Sequence, residues 1–483
     1  MIYWKTKEGH VSSARSMFSK KAGGWIPMNQ KGEQKMGTES IPKLMVSMAV
    51  PSIIAQIINI LYNIVDRIYI GHIPGVGAAA LTGVGITFPI ITLISAFSAF
   101  VGMGGAPLAA IWLGKGDRKH AEKILGSGTC LLVIFTVVLM AVFYGFLRPF
   151  LYMFGASDAT IGYAMDYMYI YLLGTLFVEL ALGLNPFIIS QGRSRIAMIS
   201  IVIGAVVNIA LDPLFIFVLG WGVKGAAIAT VLSQAVSAAW NVKFLMSKKS
   251  SLRLSLCHVR PSFRIMGQIC SLGISPFIMR STESLISIVL NRGLQIYGGD
   301  LYVGSLTIMQ SVLQLFSAPL SGFTQGVQPI ISYNYGAGNF DRVKKLYRSM
   351  IGISFAISFT ANLTAMIFPG AYAALFTNDR ELIGLVSKVM PVFLFGMLFF
   401  GLQNGIQPTF LALGQAKISL FIAMFRKVIL LVPLALVLPR FFGVMGIYYA
   451  EPISDIISAA TAGILFCINI KKILSKEYLA RIQ

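Results

Sequence analysis

The chain has 483 residues, of which 56% are hydrophobic and only 12% charged, with a formal net charge of +21 and a mean hydropathy of +0.77. A soluble domain carries roughly 25% charged residues, so a sequence this poor in charge could not cover a water-facing surface, and lipid must be its solvent. The basic balance could suggest nucleic acid, but its distribution along the chain excludes that reading.

Residues 1–40 carry Lys5, Lys7, Arg15, Lys20, Lys21, Lys31 and Lys35 without an apolar run of membrane length. They read as a disordered cytosolic tail, with Met28 and Met36 as alternative starts before the periodic sequence begins at Ile41-Pro42. Twelve apolar stretches follow, at 45–70, 81–112, 125–147, 162–190, 196–219, 225–246, 265–297, 303–334, 347–369, 383–412, 418–438 and 444–470. Each is long enough to cross a hydrocarbon core of roughly 30 Å. Backbone polar groups cannot stay unpaired in lipid, and the runs are too long for barrel strands, so all twelve must be helices. The predicted fold is an all-α integral membrane protein. Its expected divisions are a first lobe at 41–246, a cytosolic linker at 247–264, a second lobe at 265–470 and a cytosolic tail at 471–483.

With the amino terminus inside, most Lys and Arg fall in the tails and the even-to-odd connections, while the outside loops hold only Arg148, Lys224, Arg380 and Arg440. This positive-inside bias places both termini in the cytoplasm. The positive charge thus concerns insertion and anionic lipid, and no nucleic-acid partner is expected. Cys130, Cys257, Cys270 and Cys467 are scattered with no CxxC, and the four histidines are equally dispersed, so neither a disulfide framework nor a transition-metal site is indicated.

The sequence repeats internally. At an offset of 222, Gly183-Leu-Asn-Pro-Phe-Ile-Ile-Ser-Gln-Gly192 lies on Gly405-Ile-Gln-Pro-Thr-Phe-Leu-Ala-Leu-Gly414, Gly104 on Gly326, Pro107 on Pro329 and Gly114 on Gly336. Six helices, an even number, separate the copies, so both begin on the same membrane side. The two six-helix lobes should be related by a pseudo-two-fold axis along the membrane normal, an architecture that alternates access around a central site.

Ionisable residues at membrane depth are costly and call for a reason. In helix one, Gln56, Asn59, Asn63 and Asp66 share one face, with Pro51 below as a candidate hinge. Helix five brings Asn208 and Asp212, four apart and stacked, followed by Pro213. Carboxylates with amide neighbours suit a proton or Na⁺, since hard cations take oxygen ligands. The alternatives are an interfacial helix-end charge for Asp66 and a polar cap at a proline break for Asp212. Helix seven places Arg280, Glu283, Ser287 and Asn291 on one face, where Arg280 and Glu283 could neutralise each other. Gln310, Gln314, Ser317, Ser321, Gln325 and Gln328 form a polar uncharged stripe on helix eight, the wall of a wet cavity or a seam of interhelical hydrogen bonds. Asp455 in helix twelve is a further acidic candidate.

Several of these segments resemble the multidrug and toxic compound extrusion (MATE) family, over about residues 40–470. They are Tyr62-Asn-Ile-Val-Asp66-Arg-Ile-Tyr-Ile-Gly71, Asn208-Ile-Ala-Leu-Asp212-Pro-Leu-Phe-Ile216, Gly225-Ala-Ala-Ile-Ala-Thr230 and Gln325-Gly-Val-Gln-Pro-Ile-Ile-Ser-Tyr-Asn-Tyr-Gly336. The first and last look like the bacterial MepA-type branch. The resemblance implies a monomeric secondary antiporter of a bacterial cell membrane that exports small cationic amphipathic compounds in exchange for H⁺ or Na⁺, with no other cofactor. It implies that Asp66 and Asp212 are the first-lobe acidic residues, with Asn208, Thr230 and Asn185 beside them. A Na⁺ ion at Asp66, Asp212 and Asn208 is one form of that site. Glu283, with Gln56, Asn59, Asn63, Gln310, Gln314, Gln325 and Gln328, would line the substrate cavity. Helix ten lacks the acidic residue that some members use in a second-lobe cation site.

The rival within the same superfamily is a lipid-linked oligosaccharide flippase, which needs clustered cations to hold a pyrophosphate. Arg280, Arg292, Lys388 and Arg426, with Arg67 and Lys427 the other in-span cations weighed, are too scattered to read as such a clamp. No HExxH, GxSxG or paired catalytic carboxylates point to an enzyme. At the repeat offsets Asp66 falls on Asn291 and Asp212 on Leu434, so the carboxylates of coupling are expected in the first half and an uncharged polar wall in the second.

Overall fold

The computed structural model describes residues 31–255, 259, 261–475 and 477. Twelve helical spans cross it in sequence. The first three are Ile41–Gly71, Gly77–Gly114 and Arg118–Met153. The fourth is Ile161–Leu173 joined to Thr175–Ile189, and the fifth is Ser194–Val218. The sixth, seventh, eighth and ninth are Gly222–Met246, Phe263–Gly298, Asp300–Gly336 and Phe340–Ile367. The tenth is Arg380–Leu394 joined to Met397–Ala412, and the last two are Ala416–Phe442 and Val444–Ile473. The fold is all-α, two six-helix halves related by a pseudo-two-fold axis along the membrane normal. Spans six and seven carry several polar residues, Ser233, Gln234, Ser237 and Asn241 in one and Arg264, Arg280, Glu283 and Arg292 in the other.

The strongest bends differ from expectation. Helix one runs through Pro51 unbroken. The breaks fall in span four, bent by 60°, and span ten, bent by 45°. They sit at Gly174 and Gly396, which are equivalent at the repeat offset. Close packing explains the glycines: a Cβ would strike Val231 at Gly174 and Pro452 at Gly396.

The halves meet through spans one and two of the first and spans seven and eight of the second. Their closest approaches are backbone to backbone, at Gly104 against Ile269 and Gly273, Gly326 against Met48 and Ala49, and Gly336 against Ile111. Phe97 and Phe100 of span two pack edge-on against Phe277 of span seven, with centroids 4.8 and 5.5 Å away. All of these contacts lie toward the end that carries the two ends of the described chain. Toward the opposite end, Asn63, Glu283, Gln314, Ser317 and Ser321 are exposed along the facing spans. The halves therefore close together at one end and enclose a cleft that opens at the other. A Cβ at Gly273 would overlap the Phe100 carbonyl. Gly273→Ala should accordingly loosen the closed end. Spin labels at Lys119 and Lys344 should move apart in the variant, and an unchanged distance distribution would contradict this packing account.

The expected amino-terminal tail is shorter than 1–40. Lys31–Thr38 forms a helix, and Met36 is wholly buried. The Met36 carbonyl accepts from Asn334 Nδ2 at 2.8 Å and from Arg342 at 3.3 Å, and the Glu39 carbonyl accepts from Arg342 at 2.8 Å. The segment leading into span one is thus tied to the second half across the closed end. Arg342→Ala should expose the amides of residues 34–39 to fast hydrogen exchange while leaving span eight protected; unchanged protection would show that this tie carries no weight. Residues 1–30, with Met28, and positions Cys257 and Arg260 lie outside the described residues.

The linker also has structure where it is described. Gln191 Oε1, at the end of span four, accepts from the Ser251 and Leu252 amides at 2.8 and 3.1 Å and from Ser250 Oγ at 2.9 Å.

Candidate functional site

The first half concentrates its polar groups near the open end. Span five carries Asn208 and Asp212 on one face, both with no exposed surface. Asn208 Nδ2 donates to Asp212 Oδ1 at 3.2 Å. Asp66, half-buried on span one, brings its carboxyl within hydrogen-bonding reach of Asp212. Tyr62, one turn earlier on span one, reaches Asn63 and Gln234. Thr230 of span six joins through the Tyr167 hydroxyl of span four. The cluster draws on spans one, four, five and six, which pack as neighbours in this half.

Its chemistry is one-sided. Asp66 Oδ1, Asp212 Oδ2 and Asn208 Oδ1 are buried with no hydrogen-bond partner among the described residues. Each is an acceptor, and burying an acceptor without a donor costs about 1–3 kcal/mol. Two carboxyls within reach of each other cannot both hold their charge comfortably. A proton shared between the carboxyls would satisfy two of these oxygens, and a small hard cation could take up oxygens of this kind as ligands. The donor set is oxygen only, which suits Na⁺ and excludes the nitrogen and sulfur preferences of transition metals.

Asn185 does not join them. Its Nδ2 donates to the Ala197 carbonyl at 3.0 Å, and Ala197 lies eleven residues before Asn208 on span five, roughly 16 Å along the helix. Asn185 ties spans four and five together near the closed end instead.

The second half has kept less of the expected pattern. The helix-eight stripe is there, exposed at Gln314, Ser317 and Ser321, half-buried at Gln310 and Gln325, and buried at Gln328. Gln325 Oε1 accepts from Gln56 Nε2 at 3.0 Å, a hydrogen bond between the halves at the floor of the cleft. Asn63 is exposed and donates to the Asn59 carbonyl. Gln310 reaches Ser287 at 3.5 Å.

This wall is not uncharged, however. Arg426 and Lys427, both buried, sit in a π-helical stretch, Phe425–Leu431, of span eleven. Arg426 donates to Asp455 Oδ1 at 2.5 Å and Glu451 Oε1 at 3.0 Å of span twelve, and stacks over the Phe400 ring at 4.1 Å. Lys427 turns to span seven, donating to the Met279 carbonyl at 2.6 Å and Glu283 Oε1 at 3.3 Å. Adjacent residues on a helix point in different directions, which lets Arg426 and Lys427 reach different spans; π-bulges of this kind recur at functional sites. Glu283 therefore pairs with Lys427 rather than with Arg280. Sequence spacing concealed the cluster because its members come from three spans, with Glu283 more than a hundred residues before the other four. Glu283, Arg426, Lys427 and Asp455 stand out in the sequence singly as in-span charges, and Glu451 in an apolar run, four residues before Asp455, is the further signal.

The MatE family model matches residues 51–214 and again 277–437, once in each half. The chain belongs to the multidrug and toxic compound extrusion (MATE) family. It is similar to the multidrug export protein MepA of Staphylococcus haemolyticus, 26% identical over 424 residues covering 88% of this chain and 92% of that protein. It also resembles a crystal structure of a MATE protein in the bent conformation, with a TM-score of 0.86, 24% identity and coverage of 93% of this chain and 99% of that one. An outward-facing multidrug resistance MATE transporter matches with a TM-score of 0.85, 24% identity and coverage of 92% and 99%. The protein is a multi-pass membrane transporter of the MATE family.

Proposed function

We propose that this MATE transporter is a secondary antiporter of a bacterial cell membrane, exporting small cationic amphipathic compounds in exchange for H⁺ or Na⁺. The observation that carries this reading is the set of three buried, donor-less oxygens on Asp66, Asp212 and Asn208. With both termini cytoplasmic, the open cleft faces outward. A coupling ion arriving from outside binds the carboxyls, removes their negative charge and weakens their hold on a cation in the cleft, which leaves. The halves then rock about the Gln56–Gln325 floor. Facing inward, the carboxyls lose the coupling ion and their charge draws in a new cationic compound. Thr230 and Tyr167 orient the site, and Glu283, Asn59, Asn63, Gln310, Gln314, Gln325 and Gln328 line the path. The domain divisions proposed for this cycle are lobes at 41–246 and 265–470, acting as one monomer.

The flippase alternative is weaker. Arg426 and Lys427 come together, but Glu451, Asp455 and Glu283 neutralise them, so this pair offers no free cationic clamp for a pyrophosphate. A binding assay on purified protein separates the two readings. A cationic dye should bind, and weaken several-fold when pH is lowered or Na⁺ added. Preference for an anionic pyrophosphate lipid over the dye would overturn the proposal.

A further inference from the structure

Span four holds an acidic residue that the cycle above leaves unused. Glu179 lies five residues beyond the Gly174 break and is wholly buried. Neither of its carboxyl oxygens has a hydrogen-bond partner among the described residues. The same is true of the Thr175 hydroxyl, one turn earlier on the same face, and of the Ser98 hydroxyl on span two, both with no exposed surface. Ser98 is near enough to the carboxyl to interact with it, without the geometry of a formed hydrogen bond. An unpaired carboxylate in such a place costs several kcal/mol, so Glu179 sits there comfortably only while it holds a proton, which Ser98 or Thr175 can accept in a hydrogen bond.

The surroundings supply a route but no counter-charge. Spans two, three, five and six pack around this part of span four, and among the described residues they turn no Lys, Arg, His or second carboxylate toward Glu179. From the outer part of span four the Tyr171 phenol faces it, and Tyr171 in turn faces Tyr62 of span one. Tyr62 faces both Asp66 and Asp212. The phenols of buried Tyr171 and half-buried Tyr62 thus lie between the orphan carboxyl and the acidic pair.

We propose that Glu179 is a second proton-binding site of the first half, loaded and emptied in the same cycle as the Asp66–Asp212 pair. Once the pair has released its own proton, the proton leaves the Glu179 carboxyl as each phenol accepts one proton and passes its own onward, so both tyrosines end unchanged, the proton arrives at Asp66–Asp212 and the negative charge is left on Glu179 until it is reloaded. The inference rests on proton coupling at that pair, and it sets the exchange at two protons per turnover where the pair alone would move one. Two protons support about a hundredfold concentration ratio per unit of pH difference and one supports about tenfold.

The test uses the full chain in proteoliposomes, measuring the pH difference that just balances an imposed gradient of a cationic dye. Glu179→Gln, a near-isosteric stand-in for the protonated acid, should still transport, with the ratio falling from two protons per dye to one. An unchanged ratio would overturn the inference. No response to pH difference in the unmutated protein would instead overturn proton coupling itself. If Glu179→Gln does not fold, infrared difference spectra of the unmutated chain, with and without ¹³C-glutamate, decide the matter. A glutamic-acid carbonyl band that disappears on raising pH supports the site, and no such titrating band overturns it.

Discussion

Asp212→Asn is expected to abolish coupled export while leaving the amount of protein in the membrane unchanged. The substitution keeps the side chain's size and its bond from Asn208 Nδ2, because the amide oxygen accepts as the carboxylate does. What it removes is the charge that a cation would feel and the proton or Na⁺ would cancel. Asp212 has no exposed surface, so no water can take over its role. Transport of a fluorescent cationic dye from energised vesicles should fall to the level of empty vesicles. Asp66→Asn should do the same, and the double variant should be no worse than either alone, since the two carboxyls act as one unit. Dye export near the unmutated rate in both single variants would contradict this assignment.

The largest stability effect is expected at Arg426. Its guanidinium answers two carboxylates on span twelve, and all three groups are buried. Removing one member of a buried ionic group strands the rest, at a cost of about 3–5 kcal/mol. Arg426→Ala should therefore lower the melting temperature of the purified protein sharply and reduce its yield in the membrane. Replacing the set together, as Arg426→Met with Glu451→Gln and Asp455→Asn, should recover most of the loss, because no uncompensated charge remains. Glu451 Oε2 and Asp455 Oδ2 already lack a hydrogen-bond partner among the described residues, which makes the carboxylate excess the weak side of this group. A melting temperature for Arg426→Ala equal to that of the unmutated chain would show that the cluster is solvated and of little structural weight.

These two predictions mark what could be read from the sequence and what could not. The twelve spans were legible because lipid admits only helices of about that length, and the duplication because glycine and proline recur at a fixed offset. Asp212 and Asn208 were legible as a pair because four residues separate them on one helix. Arg426, Lys427, Glu283, Glu451 and Asp455 were not, since tertiary packing alone decides which span answers which charge. Arg280 and Glu283 satisfied the local spacing rule, yet packing of span eleven against span seven brings Lys427 to Glu283. Pro51 looked like the place for a bend, but the breaks came at Gly174 and Gly396, where crowding by Val231 and Pro452 admits no side chain. Glu179 is a single acidic letter in an apolar run, and what distinguishes it is burial without a hydrogen-bond partner among the described residues. Asn185 fitted the family pattern by position, and a hydrogen bond to Ala197 commits it elsewhere.

The most direct test of the central claim is dye efflux from proteoliposomes with the proton and sodium gradients imposed separately. An inward gradient of one of the two ions should drive uphill export of a cationic dye, and the gradient should lose its effect in Asp66→Asn and Asp212→Asn. Uphill export that ignores both gradients, or that survives in both variants, would contradict ion exchange at the acidic pair of the first half.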